Sequence, residues 1–184
     1  MGLGSLHSLG EALFVAGPMI ISPRTPAELE AVRQLCWEYR AYLMSLSAFD
    51  AELVTLFYPE AKYAALMEQI AESHAPPHGF IRLAMLGESS VGCGMVHSLS
   101  PGSAEIKRVY VTDTTRGIGA GYALMQSLIA ECRRLHFERI LMDTSKPLVA
   151  AQRLYLSLGF RLRGPYQPVP PEAEGHLLYF EMTL

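Results

Sequence analysis

Three glycines at alternate positions, Gly117, Gly119 and Gly121, follow Arg116 and separate two different stretches of chain. Before them a strand-like run, Val109-Tyr110-Val111, ends in the polar turn Thr112-Asp113-Thr114-Thr115. After them, from Tyr122, a long amphipathic segment begins. Strand, glycine-rich turn and helix together aim bare backbone N–H groups at an anion, with the positive end of a helix dipole behind them. Glycine suits the turn because a Cβ would obstruct phosphate oxygens and because such a turn can require positive φ. The chemistry predicted here is the holding of a phosphate.

Two common phosphate loops do not fit. A P-loop ends in Gly-Lys-Ser/Thr, whereas Gly121 is followed by Tyr122. The dinucleotide fingerprint G-x-G-x-x-G fails because the position three beyond Gly119 is again Tyr122. Asp143 sits where a ribose-binding acid would, just over 20 residues after the loop, which favours a dinucleotide. The antiparallel meander expected before the loop argues against it.

The elements that must position this loop are legible in outline. Met19–Pro23 reads as a first strand. Thr25-Pro26-Ala27-Glu28 is a capping box that opens a helix running to about Ser47, with Val32, Leu35, Cys36, Tyr39, Tyr42, Leu43 and Leu46 at helical spacing. Ala48 to Pro59 is ambiguous. A second helix is expected over Ala61–Ser73, broken by His74–Gly79. Strands Phe80–Leu86 and Val91–Leu99, joined at Gly87–Ser90, form a hairpin, and Ala104–Val111 completes the meander. Beyond the glycines, Leu124, Met125, Leu128, Ile129, Cys132 and Leu135 make one stripe on a helix of about five turns. Arg139–Asp143 is then a short buried strand reached by a parallel crossover. A helix over Pro147–Leu158 stops at Gly159. Strands Phe160–Arg163 and His176–Met182 flank a Pro-rich loop, Pro165 to Pro171. The fold class is α/β (α+β): a single domain over 18–184, with a mostly antiparallel mixed sheet of about six to seven strands and about four helices.

Composition limits the partners. The chain has 184 residues, half of them hydrophobic, enough for one well-buried domain. A net charge of −3 and no Lys/Arg cluster leave no electrostatic footprint for nucleic acid. The apolar run Ala12–Ala16 is too short to span a membrane and no Lys or Arg precedes it, so neither anchor nor signal peptide is expected; residues 1–17 read as a flexible leader. Cys36, Cys93 and Cys132 are odd in number and far apart, as expected of reduced core thiols in a cytoplasmic protein. The six histidines show no metal-ligand spacing. A homodimer stays open.

Arg116-Gly117-Ile118-Gly119-Ala120-Gly121 resembles the Q/R-x-x-G-x-G/A motif of the GNAT superfamily of N-acetyltransferases. Ala151-Gln152-Arg153-Leu154-Tyr155-Leu156-Ser157-Leu158-Gly159-Phe160 resembles the A-x-x-L-Y-x-x-x-G-F segment of the same family. Order, spacing and intervening elements agree, so the resemblance covers roughly 19–184. It departs at Leu148, where many members carry an Asn that helps hold coenzyme A.

The resemblance implies an acyl-CoA-dependent N-acyltransferase, passing acetyl from acetyl-CoA to a primary amine of a small molecule by direct attack in a ternary complex, without metal. It implies that the backbone of Val109, Tyr110, Val111, Arg116, Gly117, Ile118, Gly119, Ala120, Gly121 and Tyr122 binds the coenzyme, with the Val111 region facing the thioester oxygen. Arg116 could instead be a solvated turn residue. Tyr155 is implied as the general acid, its phenol protonated at neutral pH; the plain alternative is a packing residue. Glu105 is a candidate general base acting through water, or else the partner of a same-face ion pair with Lys107. By strand alternation Glu105, Lys107, Val109 and Val111 share one face and Arg108 the other. Lys107 and Arg108 either meet an acidic substrate or balance nearby carboxylates. The rival function is a non-catalytic CoA-binding or regulatory domain. The acceptor lining is expected from the first two helices and the Pro165–Pro171 loop.

Overall fold

The computed structural model describes residues 17–184; the expected leader, with its apolar run, lies outside the described residues apart from Gly17. Seven strands form one sheet: β1 (Met19–Ile21), β2 (Gly79–Leu86), β3 (Ser89–Ser100), β4 (Ser103–Val111), β5 (Arg139–Ser145), β6 (Arg161–Arg163) and β7 (Leu177–Thr183). Their order is β1-β2-β3-β4-β5-β7-β6, and every pairing is antiparallel except β4 with β5. The helices are α1 (Pro26–Leu46), α2 (Ala48–Phe57), α3 (Glu60–Glu68), α4 (Ile70–Ser73), α5 (Ala120–Arg134) and α6 (Val149–Ser157).

Among the described residues six helices stand where about four were expected, and both additions have a local cause. The ambiguous stretch after Ser47 is α2, because the Ser47 hydroxyl accepts from the Asp50 N–H at 3.0 Å and starts a new helix. The helix expected over 61–73 breaks at Gln69, whose φ of −90° and ψ of 3° leave the helical region. The capping box of α1 is formed as expected: Glu28 N–H donates to Thr25 Oγ1 at 3.2 Å and Thr25 N–H to Glu28 Oε2 at 2.9 Å. α5 is shorter than the five turns predicted, at 15 residues.

The sheet separates two apolar layers. On one face Leu124, Met125, Leu128, Ile129 and Cys132 of α5 and Tyr155 of α6 are buried, most of them packed with Phe80, Val96, Ala104, Ile106, Ile140 and Phe180. Each such aliphatic side chain stabilises the packing by about 1.5–3 kcal/mol. On the other face α1, α3 and α4 contribute Val32, Leu35, Cys36, Tyr63, Met67 and Ile70 against Ile81, Leu83, Cys93, Met95 and Tyr110. The three cysteines are buried and unpaired. No helix among the described residues is long and apolar enough to cross a membrane.

Candidate active site

The glycine turn forms the end of α5. Gly117 and Gly119 have φ of 88° and 86°, a left-handed conformation that side-chain-bearing residues adopt at a cost. A Cβ at either would meet nothing within 4 Å, so it is backbone conformation, and open space in front of it, that call for glycine there. Gly119 is the N-cap of α5 and no side chain caps the helix, so its first-turn N–H groups point outward unpaired. Gly121 differs: its φ is ordinary and a Cβ would touch only Leu154 and Val111, at 3.6 and 3.8 Å. Ile118 and Tyr122 are exposed on the same turn. Arg116 does not reach out freely, because its guanidinium pairs with Asp113 and stacks 4.5 Å over the ring of Tyr42 on α1.

Beside this cradle the sheet forks. β4 and β5 pair only at Ser103–Glu105 against Arg139–Leu141, and beyond Glu105 the two strands part. Thr112 N–H donates to the Val91 carbonyl of β3 at 2.9 Å, so alternation turns the N–H of Val111 away from β3 and into the fork. The side chains of Val109 and Tyr110 are packed, Tyr110 lying 5.6 Å from Tyr39 and 6.3 Å from Tyr42, which leaves only backbone free for a ligand there.

The alternation expected for β4 does not hold. Cys93 pairs with Tyr110 but Met95 with Lys107, so Arg108 and Val109 together oppose Gly94 in a bulge, with Arg108 at a φ of 53°. Glu105 and Lys107 therefore face α1 and α3, whereas Val109 and Val111 pack toward α5, and Arg108 joins the side of Lys107 instead of opposing it.

Under the fork lies a cleft of about 500 Å³, bounded by α1, α2, β4, β5, α6 and the Pro-rich loop. Glu105 is buried beside Lys107, which lines the cleft, and both its oxygens are used. Oε1 accepts from Tyr166 at 2.6 Å and Lys107 at 3.0 Å, and Oε2 lies 3.0 Å from His97 Nε2. Burial pushes the Glu105 carboxyl up, but the His97 hydrogen bond, the Lys107 charge and the Tyr166 hydroxyl outweigh it and hold it down at about 2. A carboxylate so stabilised is a poor proton acceptor. Its geometry is that of the same-face ion pair with Lys107, the alternative expected for it beside the role of general base.

Asp143 faces the cleft from β5. Its Oδ1 lies 3.1 Å from the Tyr166 hydroxyl and 3.9 Å from Lys107 Nζ, while Oδ2 has no partner among the described residues. Tyr155 is buried against Phe160 and Phe180, so it does pack. Its hydroxyl nonetheless bonds to no described residue, and no fully buried side-chain polar atom goes unpaired, so that oxygen opens on the cleft it lines. Burial and the Asp143 charge push its phenol up, which keeps it protonated across the physiological range.

Tyr166, His97 and the cleft-facing role of Asp143 escaped the sequence reading. Tyr166 lies in the Pro-rich loop, 61 residues from Glu105, and no local pattern links them. The expected lining does contribute: α1, α3 (in the second helix expected) and the loop supply Tyr39, Arg40, Lys62, Tyr63 and Pro168, and the unexpected α2 adds Leu53. The loop is tied down by His176 Nε2, 2.7 Å from the buried Asp50 of α2. Leu148, at the N-cap of α6, makes no side-chain cap.

Comparison with known proteins agrees with this architecture. Residues 33–160 match the model of the acetyltransferase (GNAT) family. An uncharacterised N-acetyltransferase of Schizosaccharomyces pombe is 32% identical over 158 residues, covering 82% of this chain and 88% of that protein. An IAA acetyltransferase of Azospirillum brasilense is 27% identical, over 72% of this chain and 84% of its own. Among solved structures, the PaiA N-acetyltransferase of Thermoplasma acidophilum in complex with coenzyme A superposes with a TM-score of 0.68 at 11% identity, covering 92% of this chain and 100% of that one.

Proposed function

The chain belongs to the GNAT family of acetyltransferases, and on that premise we propose that it transfers acetyl from acetyl-CoA to a primary amine of a small molecule, by direct attack within a ternary complex. The observation that carries this reading is convergence on β4: the uncapped glycine turn follows its end, the fork opens beside it, and Tyr155 lines the cleft together with Ile106–Val109. The cradle fits a pyrophosphate, since left-handed glycines and free first-turn N–H groups face empty space. Acetyl-CoA would supply an activated thioester carbonyl with a thiolate leaving group.

The chain's own residues divide the remaining work. Backbone amides from Gly117 to Tyr122 hold the pyrophosphate, with Val109–Val111 alongside the rest of the coenzyme. The Val111 N–H, aimed into the fork before any charge develops, stabilises negative charge on the acyl oxygen by about 3 kcal/mol. Asp143 takes the proton that the attacking nitrogen must lose, its Oδ2 being free for this. Tyr155 gives its proton to the departing sulfur. Glu105 positions Lys107 and Tyr166 around Asp143.

The decisive experiment follows CoA thiol release from acetyl-CoA across amines, amino acids, polyamines and peptides. Turnover above the hydrolysis background is expected with at least one class. Tight acetyl-CoA binding with no turnover on any of them would turn the reading into a CoA-sensing domain.

A further inference from the structure

The bulge in β4 decides on which side of the sheet Arg108 lies. Unbroken alternation would send Arg108 toward α5 beside Ile106, into an apolar core. The bulge instead swings it to the cleft side, at a φ of 53° that a bulky residue seldom adopts. Its guanidinium rests 5.8 Å from the ring centre of Tyr63, with Nη1 3.8 Å from the Met95 sulfur. Among the described residues it pairs with no carboxylate, whereas Arg33, Arg82, Arg116, Arg134 and Arg163 each do. Lys107 next to it is balanced by Glu105 and Asp143. Since no fully buried side-chain polar atom lacks a partner, the remaining N–H groups of Arg108 open onto space.

That space consists of two adjoining hollows, the cleft and a second of about 490 Å³, which share Tyr58, Lys62, Lys107 and Arg108. Lys62, Lys107, Arg108, His74, His78 and His97 line the second hollow, and no Asp or Glu does. Burial holds His74 down at about 4, so it is neutral at pH 7. Lys62 Nζ donates to the Phe57 carbonyl at 3.0 Å and keeps its charge unpaired by any acid among the described residues. No three His, Cys, Asp or Glu side chains among the described residues gather closely enough to hold a metal ion. Across the shared wall stand Asp143 and Tyr155. One end of the combined space is cationic and the other presents a carboxylate. That polarity complements a molecule with an anion at one end and an ammonium at the other.

We propose that Arg108, with Lys62 beside it, binds an anionic group of the acceptor, so that the preferred substrate is an amine that also carries a carboxylate or a phosphate. A guanidinium presents paired N–H donors that fit either oxyanion. The assignment rests on the transferase reading for what the ligand is, but the anion site can be probed without turnover.

The test uses acceptors matched except for the anion: an amino acid against its amide, an aminoalkyl phosphate against the amino alcohol, and a polyamine. Each is assayed for CoA release and also titrated calorimetrically into the CoA-saturated protein. The anionic member of a pair is expected to win in kcat/KM by about 10- to 100-fold, and the two pairs tell carboxylate from phosphate. Arg108→Gln should bring that ratio close to one, with Arg108→Lys keeping part of it. Arg108→Gly suits the positive φ, so it should melt no lower than the parent and still lose the preference, which separates a lost anion site from a lost fold. A better rate with the amide, the amino alcohol or the polyamine overturns the proposal, as does a preference that survives in Arg108→Gly. Arg108-dependent binding of anionic amines without turnover would uphold the anion site and remove the transferase reading. Turnover that favours neutral amines would do the reverse.

Discussion

The glycine cradle proposed for phosphate and the cleft proposed for the acceptor adjoin the same strand, β4, and are made of opposite materials. The cradle is backbone: two left-handed glycines and an uncapped helix start, all within five residues of chain, Gly117 to Gly121. The cleft is side chains from α1, α2, β4, β5, α6 and a loop, among them Lys107, Asp143 and Tyr155, with His97, Glu105 and Tyr166 bonded behind Lys107 and Asp143. A backbone site depends on conformation and tolerates most side-chain change. A side-chain site depends on long-range registry, and each member can be exchanged separately.

The sharpest way to break this contrast is Gly119→Glu. It should cost the fold only about 1–2 kcal/mol for a non-glycine residue at positive φ, since a Cβ there meets no neighbour. Acetyl-CoA affinity, read by calorimetry, should fall by more than about 100-fold, as a carboxylate at the cradle repels phosphate. Unchanged affinity would remove the cradle from coenzyme binding altogether.

Tyr155→Phe comes next. If its hydroxyl is the acid, kcat falls by about 10²- to 10⁴-fold while acetyl-CoA affinity stays within a few-fold. Equal activity returns the residue to packing alone.

The two carboxylates of the cleft should respond in opposite ways. Asp143→Asn should lower kcat by about 100-fold with little change in melting temperature. Glu105→Gln should chiefly destabilise, because it leaves Lys107 with Asp143 alone, 3.9 Å away. The folded-state pKa of Glu105, about 2, lies below its ordinary 4.5. Its stabilisation is therefore complete above about pH 4.5 and lost as pH falls through about 2. It is on the order of 3 kcal/mol. Urea titrations at pH 7, 4 and 3 should show the advantage of the parent over Glu105→Gln shrinking with acidity; a constant gap would contradict the assigned ion pair.

The smallest effect belongs to Gly121→Ala. The new Cβ makes ordinary contacts at 3.6 and 3.8 Å and the helix gains an alanine. Stability should rise by up to about 1 kcal/mol with affinity within a few-fold. A large loss of affinity would mean that the first turn of α5 approaches its ligand more closely than the other glycines suggest.

This division of materials also explains what the sequence disclosed. Gly117, Gly119 and Gly121 announce themselves because a conformational demand is written into residue type at fixed spacing. Thr25 and Glu28, three apart, announce α1 in the same way. Ser47 and Asp50 carried a similar signal for α2 that went unread. The bulge at Arg108 left little trace, since the residue at positive φ is an arginine, and only Gly94 across the ladder hints at the crowding that accompanies it. A Cβ on Gly94 would come within 2.9 Å of Leu128. Tyr166 left none, because its partners come from strands that precede it by 61 and 23 residues.

The fork in the sheet has a consequence for how the molecule breathes. Only three rungs join β4 to β5, so the meander β1–β4 and the trio β5, β7, β6 meet along a short seam. Adjacent amides straddle it: Thr112 is locked to Val91 at 2.9 Å, and Val111 points into the gap. Deuterium should therefore enter at Val111 far sooner than at Thr112, and two neighbouring signals in one spectrum would time the opening of the seam separately from the unfolding of the meander.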